Sequence, residues 1–433
     1  MSFLFANDKR GTYPDSWYAA SAELPPAQPA LRGAQTADVC IIGAGFTGLS
    51  AALHLAQQGL DVKVVEAHRV GFGASGRNGG QVGSGLNYAQ ADIEKSLGLD
   101  KAHHIWDMTM EAKALVRDLV ATHAPEANYE PGVAHADFHV SDTQAAHKEA
   151  AHLAQEYNYD QEECLDQAGI ASVIKSDRYT GGKIDWGAGH LHPLRYVLGL
   201  ARAAQNAGAG VYENSPVHTV KDGTETIVRT EHGSVAAKHI IHATNGYHSG
   251  LNRKMAAKVM PINNYLVATA PLDNPDEVLT KRIAVADNRF VLNYYRLSHD
   301  NRLIFGGGES YGAKFPQDIF AKVRKPLLEI FPQLSDQELT HAWGGTLGIT
   351  PTRLPMIARV GPNSLTGCGY SGHGVAMATF AGRVLAEAVT QQASRFDLLG
   401  ELPIPSFPGG QLLRAPIMTL AMTWFSMRDR LGI

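Results

Sequence analysis

The sequence predicts an α/β protein, α+β overall, built on a doubly wound parallel sheet that is interrupted by a second domain. Three observations support this fold class. Residues 39–65 show a strand, helix, strand pattern, residues 289–306 show a hairpin pattern, and 44 of the 433 residues are glycine. A glycine content of about 10%, against a usual ~7%, indicates many tight loops in a folded chain.

The chain is long enough for two or three domains of roughly 100–200 residues each. Its 38 Lys and Arg against 42 Asp and Glu give a net charge of −4, and the sequence has no dense basic cluster. It therefore lacks the basic face that neutralises phosphates in a nucleic-acid-binding protein. We expect no nucleic-acid partner.

Cys40, Cys164 and Cys368 lie far apart in the sequence. An odd number of scattered cysteines is typical of a reducing compartment and forms neither a disulfide framework nor a CxxC metal site. Charged residues appear within the first ten positions, so the apolar run of a signal peptide does not form there. We expect a cytoplasmic protein without a transmembrane segment. We also expect no metal, because the His190 and His192 pair has no third ligand nearby.

The first structural unit begins with an apolar run at residues 39–42. Residues 13–37 before it are rich in proline, so we expect them to be extended. Apolar residues recur at helical spacing from Phe46 to Gln58, and a second strand follows at residues 60–65. About 28 residues are enough for a right-handed parallel crossover between the two strands.

The predicted secondary-structure pattern changes twice in the rest of the chain. Residues 96–187 have the pattern of long polar helices and are interpreted as an insertion, after which the sheet resumes. The predicted later elements are helices at 107–122, 142–157 and 377–389, strands at 136–140, 211–220, 225–230 and 239–243, and hairpin strands at 289–297 and 302–306.

The strongest motif lies between the first strand and the first helix and reads Gly43-Ala44-Gly45-Phe46-Thr47-Gly48. Gly43 allows a tight turn, Gly45 lets a pyrophosphate approach the backbone, and Gly48 lets helix and strand pack closely. The helix N-terminus adds free N–H groups and a positive dipole. Glu66 ends the second strand and would accept hydrogen bonds from a ribose. Together these features predict a dinucleotide cofactor.

Two further glycine-rich loops favour FAD over NAD. Residues 71–81 (GFGASGRNGGQ) follow Glu66, and residues 367–375 (GCGYSGHGV) precede a helix. Glycines let the backbone lie flat against a planar ligand, and a helix N-terminus suits the negative charge of a reduced flavin. Three such loops indicate one extended cofactor. The alternative interpretation of the last two is a pair of mobile surface loops.

Together with residues 243–247 (ATNGY) and 350–355 (TPTRLP), these motifs resemble the D-amino-acid oxidase superfamily of flavoproteins, which includes sarcosine and glycine oxidases. Patches outside the cofactor motifs are similar to gamma-glutamylputrescine oxidases, a group within this superfamily. These patches are residues 16–21, 176–181, 189–194, 407–410, Leu412, Arg414 and 426–431. The resemblance covers almost the whole chain.

The resemblance implies a glutathione-reductase-type FAD-binding Rossmann domain plus a substrate domain with a mostly antiparallel sheet. The implied FAD domain comprises residues 1–95, 188–255 and 340–433, and the implied substrate domain comprises residues 96–187 and 256–339. The residues expected to bind FAD non-covalently are Gly43, Ala44, Gly45, Phe46, Thr47, Gly48, Glu66, Ala67, Gly73, Ala74, Ser75, Arg77, Asn78, Gly79, Gly80, Gln81, Val217, Ala243, Thr244, Asn245, Gly344, Gly369, Tyr370, Gly372, His373, Gly374 and Val375.

The resemblance also implies amine oxidation, with oxygen as the acceptor and an aldehyde, ammonia and hydrogen peroxide as products. The expected substrate is the terminal amine of a gamma-glutamylated polyamine. The alternative is a small amine or amino acid of the sarcosine, glycine or D-amino-acid type. One of the two adjacent tyrosines is expected to face the flavin and the other the core. The pocket candidates are His192, Tyr294, Tyr295, Trp343 and His373.

The sequence departs from the sarcosine oxidases in two places. Residues 346–349 (TLGI) replace the cysteine that holds their flavin, and residues 306–310 (GGGES) lack the lysine that activates oxygen there. We therefore expect dissociable FAD, and the residue that activates oxygen is not identified. The rival classes are an NAD-dependent dehydrogenase and a non-catalytic, membrane-docked nucleotide binder.

The segment at residues 415–427 is apolar with helical spacing and is too short to span a bilayer. We expect it to dock on the protein itself. Pairing of two subunits and a membrane interface are the alternatives for this segment.

Overall fold

A computed structural model describes residues 3–248, 250–289 and 291–408. The apolar segment at 415–427, for which docking is predicted, lies outside the described residues. None of the described helices is both long and apolar enough to cross a bilayer.

The described residues form the α-helices and strands given below. The α-helices are α1 (Trp17–Ser21), α2 (Phe46–Gln57), α3 (Gln90–Leu97), α4 (Leu99–His123), α5 (Val140–Tyr157), α6 (Gln167–Val173), α7 (Pro193–Asn206), α8 (Arg253–Lys258), α9 (Ile319–Ile330), α10 (Gly374–Val389) and α11 (Ser394–Gly400). The strands are β1 (Gly33–Ile42), β2 (Val62–Val65), β3 (Gln81–Val82), β4 (Glu130–Asp137), β5 (Glu162–Leu165), β6 (Gly181–His190), β7 (Gly210–Tyr212), β8 (Val217–Lys221), β9 (Ile227–Thr230), β10 (Gly233–His242), β11 (Met260–Thr269), β12 (Ala284–Asp287), β13 (Tyr294–Leu297), β14 (Leu303–Ser310), β15 (Leu339–Ile349), β16 (Met356–Arg359) and β17 (Ser364–Cys368).

The first sheet is parallel at its centre, as predicted. Its strand order is β16-β17-β10-β1-β2-β7, and β8 and β9 form a ribbon beside β10. β1 is parallel to β10 and β2, β2 to β7, and β10 to β17, whereas β16 is antiparallel at the edge. The carboxyl ends of β1, β2, β10 and β17 therefore lie side by side. Doubly wound sheets bind their ligands at this edge.

The second sheet is mostly antiparallel, as the resemblance implied. Its order is β15-β11-β14-β13-β12-β4-β6-β3, with β5 on β6, and among the described pairings only β12 and β4 run parallel. The predicted hairpin is confirmed, because β13 and β14 are antiparallel neighbours with Leu297 opposite Leu303. The two sheets give the mixed α/β fold that the sequence predicts.

Helices α2 and α10 pack tightly on the first sheet because small residues let their backbones approach. A Cβ on Gly382 of α10 would come within 2.5 Å of the Thr47 carbonyl oxygen. The Ser50 hydroxyl donates a hydrogen bond of 2.6 Å to the carbonyl oxygen of Thr379. Since α2 follows β1 and α10 follows β17, this packing holds both helix N-termini at the carboxyl edge of the sheet.

Several predicted boundaries are wrong. The proline-rich lead-in is not extended throughout, because the Ser16 side chain caps α1 and Trp17 is buried. Ordered sheet begins at Gly33, before the expected residue 39. The strand expected at 136–140 is the end of β4 followed by the start of α5. The strand expected at 211–220 is two strands, separated where Asn214 adopts a φ of +51°.

Sheet membership also differs from the predicted segments. β3, the last residues of β6, and β15 belong to the second sheet, although they fall within segments assigned to the FAD domain. Conversely, α4 lies within the predicted substrate segment but packs against α7 and α10 beside the first sheet. The chain therefore crosses between the two layers more often than the segment boundaries imply. The division into FAD and substrate domains stays a prediction.

Candidate cofactor and substrate site

A cavity of about 950 Å³ lies between the carboxyl edge of the first sheet and one face of the second. Gly43, Glu66, Ala243 and Tyr370 line it, and each comes within two residues of the end of β1, β2, β10 or β17. Four segments that are distant in sequence thus meet at one edge. This is where open parallel sheets place their ligands.

The opposite wall is a row of residues that are neighbours across six strands of the second sheet. All of them except Gly306 line the cavity. Side chains two residues apart lie on the same face of a strand. Val133 and Asp137, two residues before and two residues after His135 on β4, therefore line the cavity as well. The row is Leu266, Gly306, Tyr294, Ala286, His135 and Lys183, on β11, β14, β13, β12, β4 and β6.

The fingerprint loop has the geometry that its glycines predict. Gly43 adopts a φ of +107°, and a Cβ on Gly48 would lie 1.9 Å from the Gly43 carbonyl oxygen. Gly45 precedes α2 without a side-chain cap, and a Cβ there would meet the Ser75 hydroxyl at 2.7 Å. The turn is therefore tight, the helix packs closely on β1, and backbone is exposed to the cavity at the helix N-terminus. Contact of these residues with FAD stays a prediction.

Glu66 is tied to the fingerprint loop by its own carboxylate. One oxygen, Oε2, accepts the Ala44 N–H at 2.8 Å, and Oε1 accepts the His68 N–H at 2.9 Å. Burial raises the pKa of this carboxyl, while the two backbone donors stabilise its charged form. The side chain also lines the cavity, where a ribose could use the remaining lone pairs. Glu66 therefore shapes the loop in addition to its predicted ligand role.

Arg77 holds the second glycine-rich loop against β15. Its guanidinium donates to the carbonyl oxygens of Phe72 at 2.6 Å and Gly344 at 2.9 Å, and it forms an ion pair of 3.0 Å with Asp8. It also lies over the Phe72 ring, 4.3 Å from the centroid. The side chain is almost completely buried, yet Nη2 has no partner among the described residues. Since Arg77 lines the cavity, a ligand could accept from Nη2.

The structure assigns different faces to the two adjacent tyrosines. Tyr294 lines the cavity, and its hydroxyl donates to Asn264 Oδ1 at 2.5 Å. A Cβ on Gly306 or Gly79 would come within 2.1 or 2.7 Å of the Tyr294 ring, so these glycines leave the ring its place. Tyr295 points into the hydrophobic core that packs on the second sheet. Burial raises the pKa of the Tyr294 hydroxyl, which therefore stays protonated at neutral pH.

His373 lies at the start of α10 and packs against the loop after β3. A Cβ on Gly83 would come within 2.4 Å of the His373 ring. Burial lowers the pKa of this imidazole, and the charge of Lys113 acts in the same direction. The ring is therefore neutral at neutral pH. The Nε2 atom of His373 is buried and has no hydrogen-bond partner among the described residues. His373 itself lines the cavity.

Most predicted cofactor contacts meet at this cavity. Those that line it are Gly43, Gly45, Phe46, Thr47, Glu66, Ala67, Gly73, Ala74, Ser75, Arg77, Asn78, Gly79, Gln81, Val217, Ala243, Thr244, Asn245, Tyr370, Gly372, His373, Gly374 and Val375. Five others do not line it and act through the backbone or packing instead. These are Ala44, Gly48, Gly80, Gly344 and Gly369.

Three of the five pocket candidates, His192, Tyr295 and Trp343, do not line the cavity. His192 accepts the Arg195 N–H at 3.2 Å and so caps α7. Trp343 is buried and donates from its indole nitrogen to the Arg77 carbonyl oxygen at 3.0 Å. Each of these side chains satisfies its polar atoms within the protein. Tyr294 and His373 remain as pocket residues.

Sequence analysis missed a charged part of the lining, formed by Asp137, Glu149, Glu162, Lys183 and Asp185. The alternation of polar and apolar residues at 134–137 (AHAD) in β4 and at 183–185 (KID) in β6 was the available signal. The same alternation is typical of a strand face exposed to water. Only the packing of α5 against both strands shows that Asp137, Glu162, Lys183 and Asp185 are enclosed, whereas the Glu149 side chain is partly exposed.

The residues fit FAD on two independent observations. Four buried polar atoms of lining residues have no partner among the described residues: Arg77 Nη2, Asp137 Oδ2, Thr244 Oγ1 and His373 Nε2. Such atoms are costly unless a ligand or water satisfies them. The glycine turn after β1 also leaves the backbone accessible where a pyrophosphate would approach. Within the described ranges, by contrast, no group of three or more His, Cys, Asp or Glu is placed to hold a metal ion.

A parallel sheet with a fingerprint loop, joined to a second sheet over one long cavity, defines a dinucleotide-dependent oxidoreductase. A family model described as FAD dependent oxidoreductase matches residues 38–388. The chain belongs to this DAO family of FAD-dependent oxidoreductases, and its cofactor is FAD.

Two curated relatives align with almost the whole chain. "Probable oxidoreductase OrdL" from Rhizobium meliloti is 40% identical over 416 residues, covering 96% of this chain and 97% of the relative. "Gamma-glutamylputrescine oxidoreductase" from Escherichia coli is 40% identical over 422 residues, covering 96% and 99%. The crystal structure of glycine oxidase from Geobacillus kaustophilus superposes with a TM-score of 0.70 at 20% identity, covering 84% and 97%. This structural likeness supports the fold.

We expect FAD to bind without a covalent bond to cysteine. None of the three cysteines lines the cavity, and burial raises the pKa of the Cys40 and Cys368 thiols to about 12. Such thiols are unreactive. After acid precipitation of the purified protein, the yellow colour should stay in the supernatant. Colour that remains in the pellet and resists mild denaturant would show this expectation to be wrong.

Proposed function

We propose that this chain oxidises the terminal amine of a gamma-glutamylated polyamine of the gamma-glutamylputrescine type. The amine, oxygen and water would give the aldehyde, ammonia and hydrogen peroxide. The carbon that bears the amine loses two electrons, and oxygen is reduced to peroxide. The observation that carries the proposal is the 40% identity, over 96% of this chain, to a relative named gamma-glutamylputrescine oxidoreductase.

One part of the cavity suits a neutral amine. Tyr294, Leu266 and Leu292 line it, so the reacting end of a substrate would lie among apolar and aromatic groups. An alkylamine in water has a pKa of about 10, and desolvation disfavours its charged form. Only the neutral amine has a lone pair that can assist the loss of hydride. The pocket thus favours the form of the substrate that reacts.

FAD, when bound, accepts the hydride equivalent from the substrate carbon. The chain's own residues bind and orient the two molecules. Tyr294 forms a fixed wall of the cavity. Its hydroxyl donates a hydrogen bond to Asn264 Oδ1, and Gly306 leaves room for its ring. His373 is neutral, and its ring packs against the loop after β3.

A second candidate function is the oxidation of a small amino acid. The observation that favours it is Arg353, whose side chain lines the cavity. Its positive charge acts to lower the pKa of the neighbouring Glu309 carboxyl, and Glu309 also lines the cavity. An arginine at such a position could hold a substrate carboxylate. Glycine, sarcosine and D-amino acids are the substrates to compare.

A peroxide-coupled screen separates the two candidates. We expect gamma-glutamylputrescine to give the highest kcat/KM among gamma-glutamylputrescine, gamma-glutamylspermidine, putrescine, spermidine, sarcosine, glycine and D-amino acids. The same reactions run without oxygen, with flavin bleaching as the readout, show whether the flavin accepts electrons independently of the final acceptor. Preferential oxidation of an amino acid would replace the first candidate with the second. Bleaching without peroxide in air would show that oxygen is not the acceptor.

A further inference from the structure

The cavity continues past Tyr294 into a charged extension, which we call the acidic arm. It lies under β4 and β6 and is covered by α5, which contributes Ala146, Glu149 and Leu153 at helical spacing on one face. The acidic arm is defined by His135, Asp137, Glu149, Glu162, Lys183 and Asp185.

The acidic arm has an excess of negative charge. It contains four carboxylates and a single ammonium, that of Lys183. Lys183 Nζ already binds Glu162 Oε2 at 2.9 Å and Glu149 Oε2 at 3.2 Å. His135 adds no charge, because burial lowers the pKa of its ring to about 4. The arm therefore offers no unpaired positive charge to a substrate anion.

Asp185 is satisfied within the protein. Its Oδ2 accepts the Ser84 hydroxyl at 2.5 Å, and its Oδ1 accepts the Gly187 N–H at 2.9 Å and the Tyr159 hydroxyl. Lys113 stands behind this group and donates to Ser84 and Tyr159. These contacts leave Asp185 with little capacity for a ligand. They fix the wall of the arm instead.

Asp137 differs from the other carboxylates. The residue is only 4% exposed, and its Oδ2 has no hydrogen-bond partner among the described residues although the side chain lines the cavity. Burial and the nearby charge of Asp142 raise the pKa of Asp137 to about 6, although a hydrogen bond with the Thr143 side chain and the charge of Lys183 act in the opposite direction. The carboxyl is therefore mostly ionised above pH 7. A buried, unpaired carboxylate oxygen is costly unless a donor binds it. An ammonium group is the donor that also matches its charge.

We propose that the acidic arm binds an ammonium group at the far end of the amine substrate, with Asp137 Oδ2 as its acceptor. This inference rests on the proposed function and adds a residue that determines specificity. The ammonium could belong to the glutamyl group of a glutamylated amine or to a free polyamine. Both sources share the chemistry that Asp137 recognises.

The spacing of the strands agrees with a glutamylated putrescine. Tyr294 lies opposite Ala286, which lies opposite His135, and Asp137 is two residues further along β4. Two strand spacings and two residues place the Tyr294 and Asp137 backbones roughly 10–12 Å apart. In gamma-glutamylputrescine, nine bonds separate the oxidised carbon from the glutamyl ammonium nitrogen, which at about 1.2 Å per bond is roughly 11 Å. An extended substrate can therefore reach from one residue to the other.

The test uses the FAD-loaded enzyme and two probes without an oxidisable terminal amine. Gamma-glutamylbutylamine carries the distal ammonium and carboxylate, and glutarylbutylamine carries the carboxylate alone. Their Kd values are measured from the perturbation of the flavin absorption spectrum. We expect wild type to bind the first probe roughly 10- to 100-fold more tightly, and Asp137→Asn to remove that difference. The control is Glu163→Gln, which changes an exposed carboxylate outside the cavity that accepts a hydrogen bond from the Trp186 indole. This variant should bind both probes as wild type does.

The proposal would be overturned if a folded Asp137→Asn kept both the wild-type affinity for gamma-glutamylbutylamine and the wild-type kcat/KM for spermidine. Equal binding of the two probes by wild type excludes the glutamyl ammonium and leaves the free polyamine as the source. The comparison in wild type needs no variant, so it stands even if Asp137→Asn does not fold. Neither probe is oxidised at a terminal amine, so failure here is distinct from failure of the proposed function in the oxidation screen. A fall in kcat/KM of Asp137→Asn for gamma-glutamylputrescine alone assigns the ammonium to the glutamyl group. A fall for spermidine alone assigns it to a polyamine.

Discussion

Replacing Glu66 with alanine is expected to weaken FAD binding by roughly 10- to 150-fold, the effect of one lost charge-assisted hydrogen bond. The carboxylate lines the cavity at the carboxyl end of β2, where a ribose would lie. Its loss also leaves the Ala44 and His68 N–H groups without their acceptors. The Kd is measured by adding FAD to the apoprotein and following the flavin fluorescence. The kcat of the FAD-saturated variant should change much less, because the ribose is remote from the reacting flavin atoms.

Two controls separate the charge of Glu66 from its shape. Glu66→Gln keeps one acceptor oxygen but turns an N–H₂ group toward a backbone donor, so its FAD affinity should lie between wild type and Glu66→Ala. Glu231→Gln removes an exposed carboxylate that pairs with Arg10 and should bind FAD as wild type does. Normal FAD affinity of Glu66→Ala would mean that Glu66 is not the ribose ligand.

Replacing Arg77 with methionine is expected to lower the free energy of unfolding by about 3–5 kcal/mol, the usual effect of breaking a buried ion pair from one side. The change removes the donors to the Phe72 and Gly344 carbonyl oxygens and leaves Asp8 without its partner. It also removes the contact between the guanidinium and the Phe72 ring. Chemical denaturation of the apoprotein measures this loss without the contribution of FAD.

Arg10→Met provides the matched control. Arg10 pairs with Glu231 on the surface at 3.2 Å, and exposed ion pairs contribute about 0–1 kcal/mol. Its denaturation curve should therefore nearly coincide with that of wild type. If Arg77→Met and Arg10→Met are equally stable, the buried contacts of Arg77 do not hold the second loop in place.

The local units around the cofactor can be predicted from short stretches of the sequence. The turn at Gly43, the close packing at Gly48 and the start of α2 at Phe46 are set within a few residues, because backbone conformation and missing side chains decide them. The same holds for the hairpin of β13 and β14, whose strands are joined by a short polar turn. Motifs shared across a family then identified the fold and FAD. Such signals are local, so they survive without knowledge of the tertiary contacts.

Which side chains face the cavity depends on contacts between distant parts of the chain. His192 and Trp343 neighbour matched motifs in sequence, yet each turns to a partner within the core. Strand register decided that Tyr294 rather than Tyr295 lines the cavity. It also aligned Tyr294 with His135, which is 159 residues away in the sequence and two strands away in the sheet. Side-chain direction depends on pairing between distant segments, and burial of a charge such as Asp137 depends on a helix packing over it, so neither can be read from a local pattern.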